Sequence, residues 1–294
     1  MAIQAQSDFS VILLGTGTPI PNPDRACAST LVKAGGNHFL VDTGRGFLNR
    51  FAATGLRDVS AVFFTHYHSD HFSEFGEFMV TRSIWGAERA LRVIGPEGAG
   101  RIVGAILEAY VPDNAYRQAH HGDKWFSGGM KAHVIEALPG LVYEESGVRV
   151  TMFEVDHRPV EPAMGFRFDY AGLSVVISGD TKKVPQMVEL AGNCDLLIHE
   201  AVNRDLVLMA LAGLKKGNPR LAAMSEEMME YHTSTLEVAE IARDANVGKL
   251  VLTHLVPSIP PRDDADQLFI RGMNEIYHGP IIVGRDQMEI KVAP

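Results

Sequence analysis

The chemistry in this chain is concentrated in one heptapeptide, Thr65-His66-Tyr67-His68-Ser69-Asp70-His71. Three histidines and an aspartate within six residues have no packing rationale, because buried polar groups must find partners. Imidazole and carboxylate together suit a divalent metal: Zn²⁺ first, with Mn²⁺ or iron as weaker alternatives. The heptapeptide directly follows the apolar run Ala61-Val62-Phe63-Phe64. In extended chain alternate residues share a face, so His66, His68 and Asp70 point one way, and His71 leaves that period if a helix begins there. One strand end can thus offer ligands to two neighbouring ions.

One cluster cannot complete two sites, and the same setting, the polar end of an apolar strand, recurs three times. Val155-Asp156-His157 follows the run at 148–154, and Ile177-Ser178-Gly179-Asp180-Thr181 follows 173–176. Leu250-Val251-Leu252-Thr253-His254 ends another apolar run. Together these place His157, Asp180 and His254 where loops converge at one edge of a sheet pair.

The elements that must position these groups are legible as short β-branched runs at 9–14, 38–41, 59–65, 91–94, 131–135, 148–155, 165–170, 173–178, 195–199, 249–253 and 281–283, which predict strands. Asp169-Tyr170-Ala171-Gly172 predicts a hairpin turn between two of them. Helical spacing occurs at 46–54, 73–85, 98–110, 184–191, 203–214, 222–231, 235–246 and 263–276, and Ser234-Thr235-Leu236-Glu237 has capping-box spacing just after His232. The pattern predicts two β-rich halves sharing one core in a single domain over 1–294. The segment 111–130, with Pro, Asp, Asn, Gly-Gly and Trp125-Phe126, predicts a long surface loop. The Met- and Leu-rich stretch 206–229 predicts two helices joined at Lys215-Lys216-Gly217-Asn218-Pro219, its methionines serving as core filler or a subunit contact.

Composition narrows the classes. A chain of 294 residues can bury roughly 75% of its unfolded surface without disulfides. Twenty-seven Lys+Arg against thirty-six Asp+Glu give a charge of −9, which argues against a broad basic footprint for nucleic acid or anionic membrane. Cys27 and Cys194 form no CxxC pair, so a disulfide framework is not expected. The start MAIQAQSDF lacks a basic, apolar leader, and no apolar run reaches the roughly 18 residues of a spanning helix. A cytoplasmic protein is expected, or a periplasmic one if a signal peptide has been removed.

The ordered set His66, His68, Asp70, His71, His157, Asp180 within Gly-Asp-Thr, and His254 resembles the metallo-β-lactamase superfamily. The resemblance implies an α/β fold, a four-layer αβ/βα sandwich with a helical insertion at about 203–231 and a dinuclear zinc site at the sheet edge. By that likeness His66, His68 and His157 would hold one ion, Asp70, His71 and His254 the other, and Asp180 would bridge. Asp42 in Val41-Asp42-Thr43-Gly44 matches a family aspartate that steadies the ligand loop.

Four further segments resemble the ribonuclease Z and arylsulfatase-like branch: Leu14-Gly15-Thr16-Gly17-Thr18-Pro19 with Arg25 and Ser29, His199-Glu200-Ala201, Tyr231-His232-Thr233-Ser234, and Lys249 through His254. In that branch the equivalents of Glu200 and His232 form a carboxylate–imidazole pair beside the metals. Such a pair can protonate the alkoxide or phenoxide leaving a phosphate or sulfate ester. His199 would alternate away from Glu200, and His38, His120, His121, His133 and His278 have no sequence partner. The expected activity is hydrolysis of a phosphodiester or aryl sulfate ester by a hydroxide bridging two ions, with Asp70 orienting the nucleophile and His232, set by Glu200, assisting the leaving group. Ribonuclease Z proper carries a long arm between the third histidine and the bridging aspartate, whereas about twenty residues separate His157 from Asp180 here. The resemblance therefore implies a small anionic ester as substrate and a homodimer, with transfer-RNA 3′ processing as the alternative reading and a lactonase or thioesterase as a further one.

Overall fold

A computed structural model describes residues 8–122 and 130–293. It contains two seven-stranded mixed sheets. The first is built mainly from β1 (Phe9–Gly15), β2 (Ser29–Ala34), β3 (Asn37–Val41), β4 (Ala61–Phe63), β5 (Leu91–Gly95) and β6 (Ala132–Glu136). The second comprises β7 (Gly140–Glu145), β8 (Val148–Glu154), β9 (Met164–Tyr170), β10 (Leu173–Ile177), β11 (Leu196–Val202), β12 (Leu250–Val256) and β13 (Ile281–Val283). The last strand, β14 (Glu289–Lys291), returns to the first sheet and pairs antiparallel with β1.

Each sheet mixes antiparallel hairpins with a run of parallel strands, β3 to β6 in the first and β10 to β13 in the second. Strands β1 and β11 are buried along their whole length, as expected for strands covered on both faces. Between the sheets lie Phe39 and Phe63 from one side and Phe166 and Phe168 from the other, all fully buried. Their rings meet across the interface, Phe63–Phe166 at 5.2 Å and Phe39–Phe168 at 5.8 Å between centroids. Such pairs add about 0.5–1.5 kcal/mol each beyond the area they bury.

Helices α1 (Phe47–Ala53), α3 (Phe75–Ile84) and α4 (Ala99–Ala109) cover the outer face of the first sheet, with the single turn α2 (Ser69–Phe72) preceding α3. Helices α6 (Pro185–Leu190), α9 (Thr235–Asp244) and α10 (Asp263–Phe269) cover the second. The four-layer sandwich expected from the sequence is therefore present. Helices α7 (Arg204–Gly217) and α8 (Pro219–Met228) form a pair between β11 and α9, each opened by an asparagine whose side chain accepts a backbone N–H, Asn203 from Leu206 and Asn218 from Leu221.

Several sequence expectations need correction. Residues 111–121 are helix α5 (Val111–His121) rather than loop, with Pro in its first turn, where a missing N–H costs nothing. The remainder of the expected loop, including Trp125 and Phe126, lies outside the described residues. Strands β2, β7 and β14 are additional to those expected, and 263–276 is a helix followed by a separate 3₁₀ turn at Met273–Glu275. The β9–β10 turn is as read: Ala171 and Gly172 both have positive φ, 53° and 81°, the pairing of a tight two-residue hairpin.

Candidate metal centre

All seven expected ligands converge at one edge of the sandwich, six of them beyond strand ends and His254 within β12. Chain ties hold the two sheets together there: Met164 N–H donates to Thr65 O at 2.9 Å and Leu255 N–H to Thr16 O at 3.0 Å. Gly179, at φ 63°, is wedged between the start of β9 and Thr65 of the first sheet; a Cβ there would stand 2.4 Å from Met164 O and 3.2 Å from Thr65 Cβ. That glycine lets Asp180 reach the centre from the second sheet.

His66 comes directly off the end of β4, and the single turn α2 then swings Asp70 and His71 inward. His66 Nε2 lies 3.0 Å from His68 Nδ1, and His157 Nε2 lies 3.4 Å from the same atom. Asp180 Oδ2 is 3.9 Å from both Nε2 atoms. Beside this group, His254 Nε2 is 3.2 Å from Asp70 Oδ2 and 3.4 Å from Asp180 Oδ2, while His71 Nε2 is 3.3 Å from Asp180 Oδ2. One oxygen of Asp180 thus faces both groups. All are buried except His68, which leaves the mouth open to solvent.

The outer nitrogens of His66, His71 and His157 are committed elsewhere, which aims the inner ones, while His254 Nδ1 is buried without a partner. His71 Nδ1 donates to Asp42 Oδ2 at 2.7 Å, and Asp42 also accepts from Thr65 N–H at 2.9 Å and Thr65 Oγ1 at 2.8 Å. Thr65 Oγ1 in turn lies 3.0 Å from His66 Nδ1. His157 Nδ1 donates to the carbonyl of Tyr231 at 3.0 Å. These contacts fix the tautomers that present lone pairs inward. His71 Nε2 is buried with no hydrogen-bond partner. Buried lone pairs and two buried carboxylates meeting at one point are the donor set of a divalent cation pair.

The electrostatics divide the imidazoles: against burial, Asp180, Asp42 and Asp70 raise His71 well above the usual imidazole range and so keep on it a proton that a bound cation would displace. Burial pushes His66 well below, and His68 and His157 below, the usual imidazole range, leaving them neutral as ligands must be. Burial alone would raise Asp70, but His71 and His254 outweigh it and hold the carboxyl at about 2. Asp180 is likewise held well below the carboxylate range against burial, by His254 and His71.

Against this centre stands the expected second pair. Glu200 emerges at a bulge in β11, its Oε1 accepting from Thr233 N–H at 2.9 Å and lying 3.2 Å from His232 Nδ1. The His232 ring stacks on His254 at 5.5 Å and lies 5.1 Å from that of His157. Burial pulls His232 down, but Glu200, with Asp180 adding, pushes it up to about 9. The capping box is formed as read, Ser234 and Glu237 each bonding the other's backbone, and it starts α9 immediately behind His232.

His199 points away from Glu200 and is fully buried, its Nδ1 bonded to Glu200 O. Of the described histidines, only those of the ligand set and His232 enter the metal-capable groups. Sequence reasoning passed over Thr65 as an orienting hydroxyl, although it begins the ligand motif, and the carbonyl of Tyr231, which no side-chain pattern marks.

Fold and donor set define a class, a metal-dependent hydrolase of the β-lactamase superfamily, and residues 37–255 match the family model described as a beta-lactamase superfamily domain. The chain belongs to the metallo-β-lactamase superfamily, in its ribonuclease Z-like branch. It is similar to the ribonuclease Z of Mycobacterium bovis, 39% identical over 291 residues covering 97% of this chain and 99% of that one. To that of Mycobacterium marinum it is 40% identical over 289 residues, with the same shares covered. Among solved structures it shares the fold of the metallo-beta-lactamase fold protein YhfI from Bacillus subtilis, at a TM-score of 0.68 and 19% identity over 96% of this chain and 99% of that one. It also shares the fold of human tRNase Z, short form, at 0.67 and 22% over 97% and 100%.

Proposed function

We propose that this chain is a dinuclear, zinc-dependent phosphodiesterase of the ribonuclease Z type that hydrolyses an RNA phosphodiester. The observation that carries the phosphodiester reading is the Glu200–His232 pair stacked on His254 beside the ligand set, a proton donor placed where a poor leaving group needs one. The end-to-end likeness to proteins named ribonuclease Z supports RNA over the small ester that the sequence suggests.

His66, His68 and His157 would hold one ion, Asp70, His71 and His254 the second, with Asp180 between them. Bound zinc would lower the pKa of water and neutralise the non-bridging phosphate oxygens. Asp70 accepts a hydrogen bond from the attacking water and orients it. Asp42 and Tyr231 O keep the imidazoles in register. His232, held as imidazolium by Glu200, gives its proton to the departing ribose oxygen, and Glu200 keeps that imidazole oriented through the reaction.

One observation favours a second reading, a small phosphodiester. Where an RNA-gripping arm would stand, between His157 and Asp180, the chain makes only the β9–β10 hairpin with its two-residue turn. Zinc-loaded wild type and Asp180→Ala assayed on a precursor transfer RNA with a 3′ trailer, on bis(p-nitrophenyl) phosphate and on an aryl sulfate separate the two. The RNA reading expects endonucleolytic cleavage by wild type that Asp180→Ala abolishes. Turnover of the nitrophenyl diester with the RNA left intact would replace it with the second reading, and no metal-dependent turnover would end both.

A further inference from the structure

The end of the sandwich opposite the metal centre carries a polar cleft of about 360 Å³. Asn37 opens β3, Ser60 precedes β4 and Arg89 precedes β5, while Arg92, His133 and Glu145 line the cleft from β5, β6 and β7. These are the N-terminal ends of the parallel strands of the first sheet, whereas the ligand heptapeptide follows the C-terminal end of β4. The chain from Ser60 to His66, about 20 Å when extended, runs from one site to the other. Along β5, Ile94 faces the core between the sheets and Leu91 and Val93 pack outward, so Arg92 shares the inner face with Ile94. His133 is its register partner on β6. The guanidinium of Arg92 lies 5.3 Å from the centre of the Tyr143 ring, which meets Phe39 edge-on at 5.1 Å. The cleft begins where this aromatic floor ends.

Its one lining carboxylate is already occupied: Glu145 Oε1 accepts from Arg92 Nη1 at 2.6 Å and Oε2 from the Tyr143 hydroxyl at 3.4 Å. Arg89 commits only Nη2, to Val59 O and to Asp58 at 3.2 Å, and Asp58 is shared with the fully buried Arg82 at 2.5 Å. Nε and Nη1 of Arg89, Nε and Nη2 of Arg92 and both ring nitrogens of His133 have no hydrogen-bond partner among the described residues. Two guanidinium groups with open N–H donors and an imidazole around one cleft form a receptor for an oxyanion with several charged oxygens. Beside them the Ser60 hydroxyl donates to Asn37 Oδ1 at 3.1 Å, a neutral polar wall suited to hydroxyl groups. The volume is that of a small-molecule site rather than of a bare ion.

We propose that this cleft binds a small organic phosphate, with the phosphate on Arg89, Arg92 and His133 and the hydroxyls of the organic part against Asn37 and Ser60. The site is separate from the metal centre and does not depend on which ester is hydrolysed there.

The test is calorimetric titration of the zinc-loaded full chain with ribose 5-phosphate, inorganic phosphate and succinate. Ribose 5-phosphate should bind more tightly than either of the others. Arg89→Ala and Arg92→Ala should each raise its Kd about tenfold or more, the usual loss for a hydrogen bond between charged groups. Because Arg92→Ala also strips Glu145 of its partner, His133→Ala, which breaks no hydrogen bond among the described residues, gives a second check and should weaken binding several-fold. Arg243→Ala removes an exposed arginine of α9 paired with Asp244 and should change nothing. Asp180→Ala should bind as wild type does, which separates the cleft from phosphate held by zinc. Binding lost in Asp180→Ala but kept in all three cleft variants would place the ligand at the metal centre and overturn the proposal, as would no binding of ribose 5-phosphate at millimolar concentration. Inorganic phosphate binding as tightly as the ester would overturn the organic ligand, and succinate binding more tightly would overturn the phosphate.

Discussion

The Nδ1 atom of His232 lies 3.2 Å from Oε1 of Glu200, and the same ring stacks on His254 with 21° between their planes. The contact is an ion pair rather than a well-aligned hydrogen bond, and the second carboxylate oxygen of Glu200 has no partner. A carboxylate desolvated in this way is satisfied best by a charged imidazole.

Loss of that imidazole should therefore depend on the leaving group. His232→Ala is expected to slow hydrolysis of an alkyl or ribosyl phosphodiester by about 10²–10⁴-fold, yet to slow a nitrophenyl diester far less, since a nitrophenoxide departs without a proton. Equal losses on both substrates would remove the acid role.

The same pair sets a pH limb. A donor must be protonated, so rate on poor leaving groups is full below the pKa of His232 and falls as pH rises through it. Glu200 is what raises that pKa. Glu200→Gln should move the alkaline limb to lower pH on such substrates, read from kcat/KM profiles, and an unmoved limb would assign the titration to another group.

Asp42 touches no candidate metal position but fixes His71 through a 2.7 Å hydrogen bond. Asp42→Ala should weaken zinc binding about 10–100-fold, with activity restored by excess zinc. Competition with a chelator of known affinity measures this, and unchanged affinity would deny Asp42 its orienting role.

Asp180 faces both ligand groups, so Asp180→Ala should reduce the zinc content measured on the purified protein. It should also abolish the fall in Tm that chelation causes in wild type. Ligand present at a thousand times its Kd stabilises a fold by about 4 kcal/mol, a loss easily seen by calorimetry. A variant that still carries two ions would exclude bridging.

Ser234 caps α9 behind His232, and Thr233 N–H donates to Glu200. Ser234→Ala should cost about 1 kcal/mol of stability and lower kcat more than KM. Denaturant unfolding and kinetics together check it; a stability loss with kcat intact would make the cap purely structural.

The candidate ligands were readable because each stands at the polar end of an apolar strand: nothing in packing explains His66, His68 and Asp70 after Phe63-Phe64, or Asp180 after Ile177. The buried strands announced themselves for the same reason. Helix α5 gave a weaker signal because none of its residues is buried and Pro112, Asp113 and Asn114 at its start are turn formers. Strand β14 has three residues and takes its place only by pairing with β1, a contact distant in sequence.

The candidate ligand set is divided between the sheets: His66, His68, Asp70 and His71 follow a strand of the first, and His157, Asp180 and His254 belong to the second. During synthesis the first group leaves the ribosome well before His254, which follows late in the chain. The group of His66, His68, His157 and Asp180 is complete once Asp180 has emerged, whereas that of Asp70, His71 and His254 waits for the last histidine. Filling of that second group would therefore follow translation of β12, and a chain truncated before β12 would lack it however much zinc surrounded it.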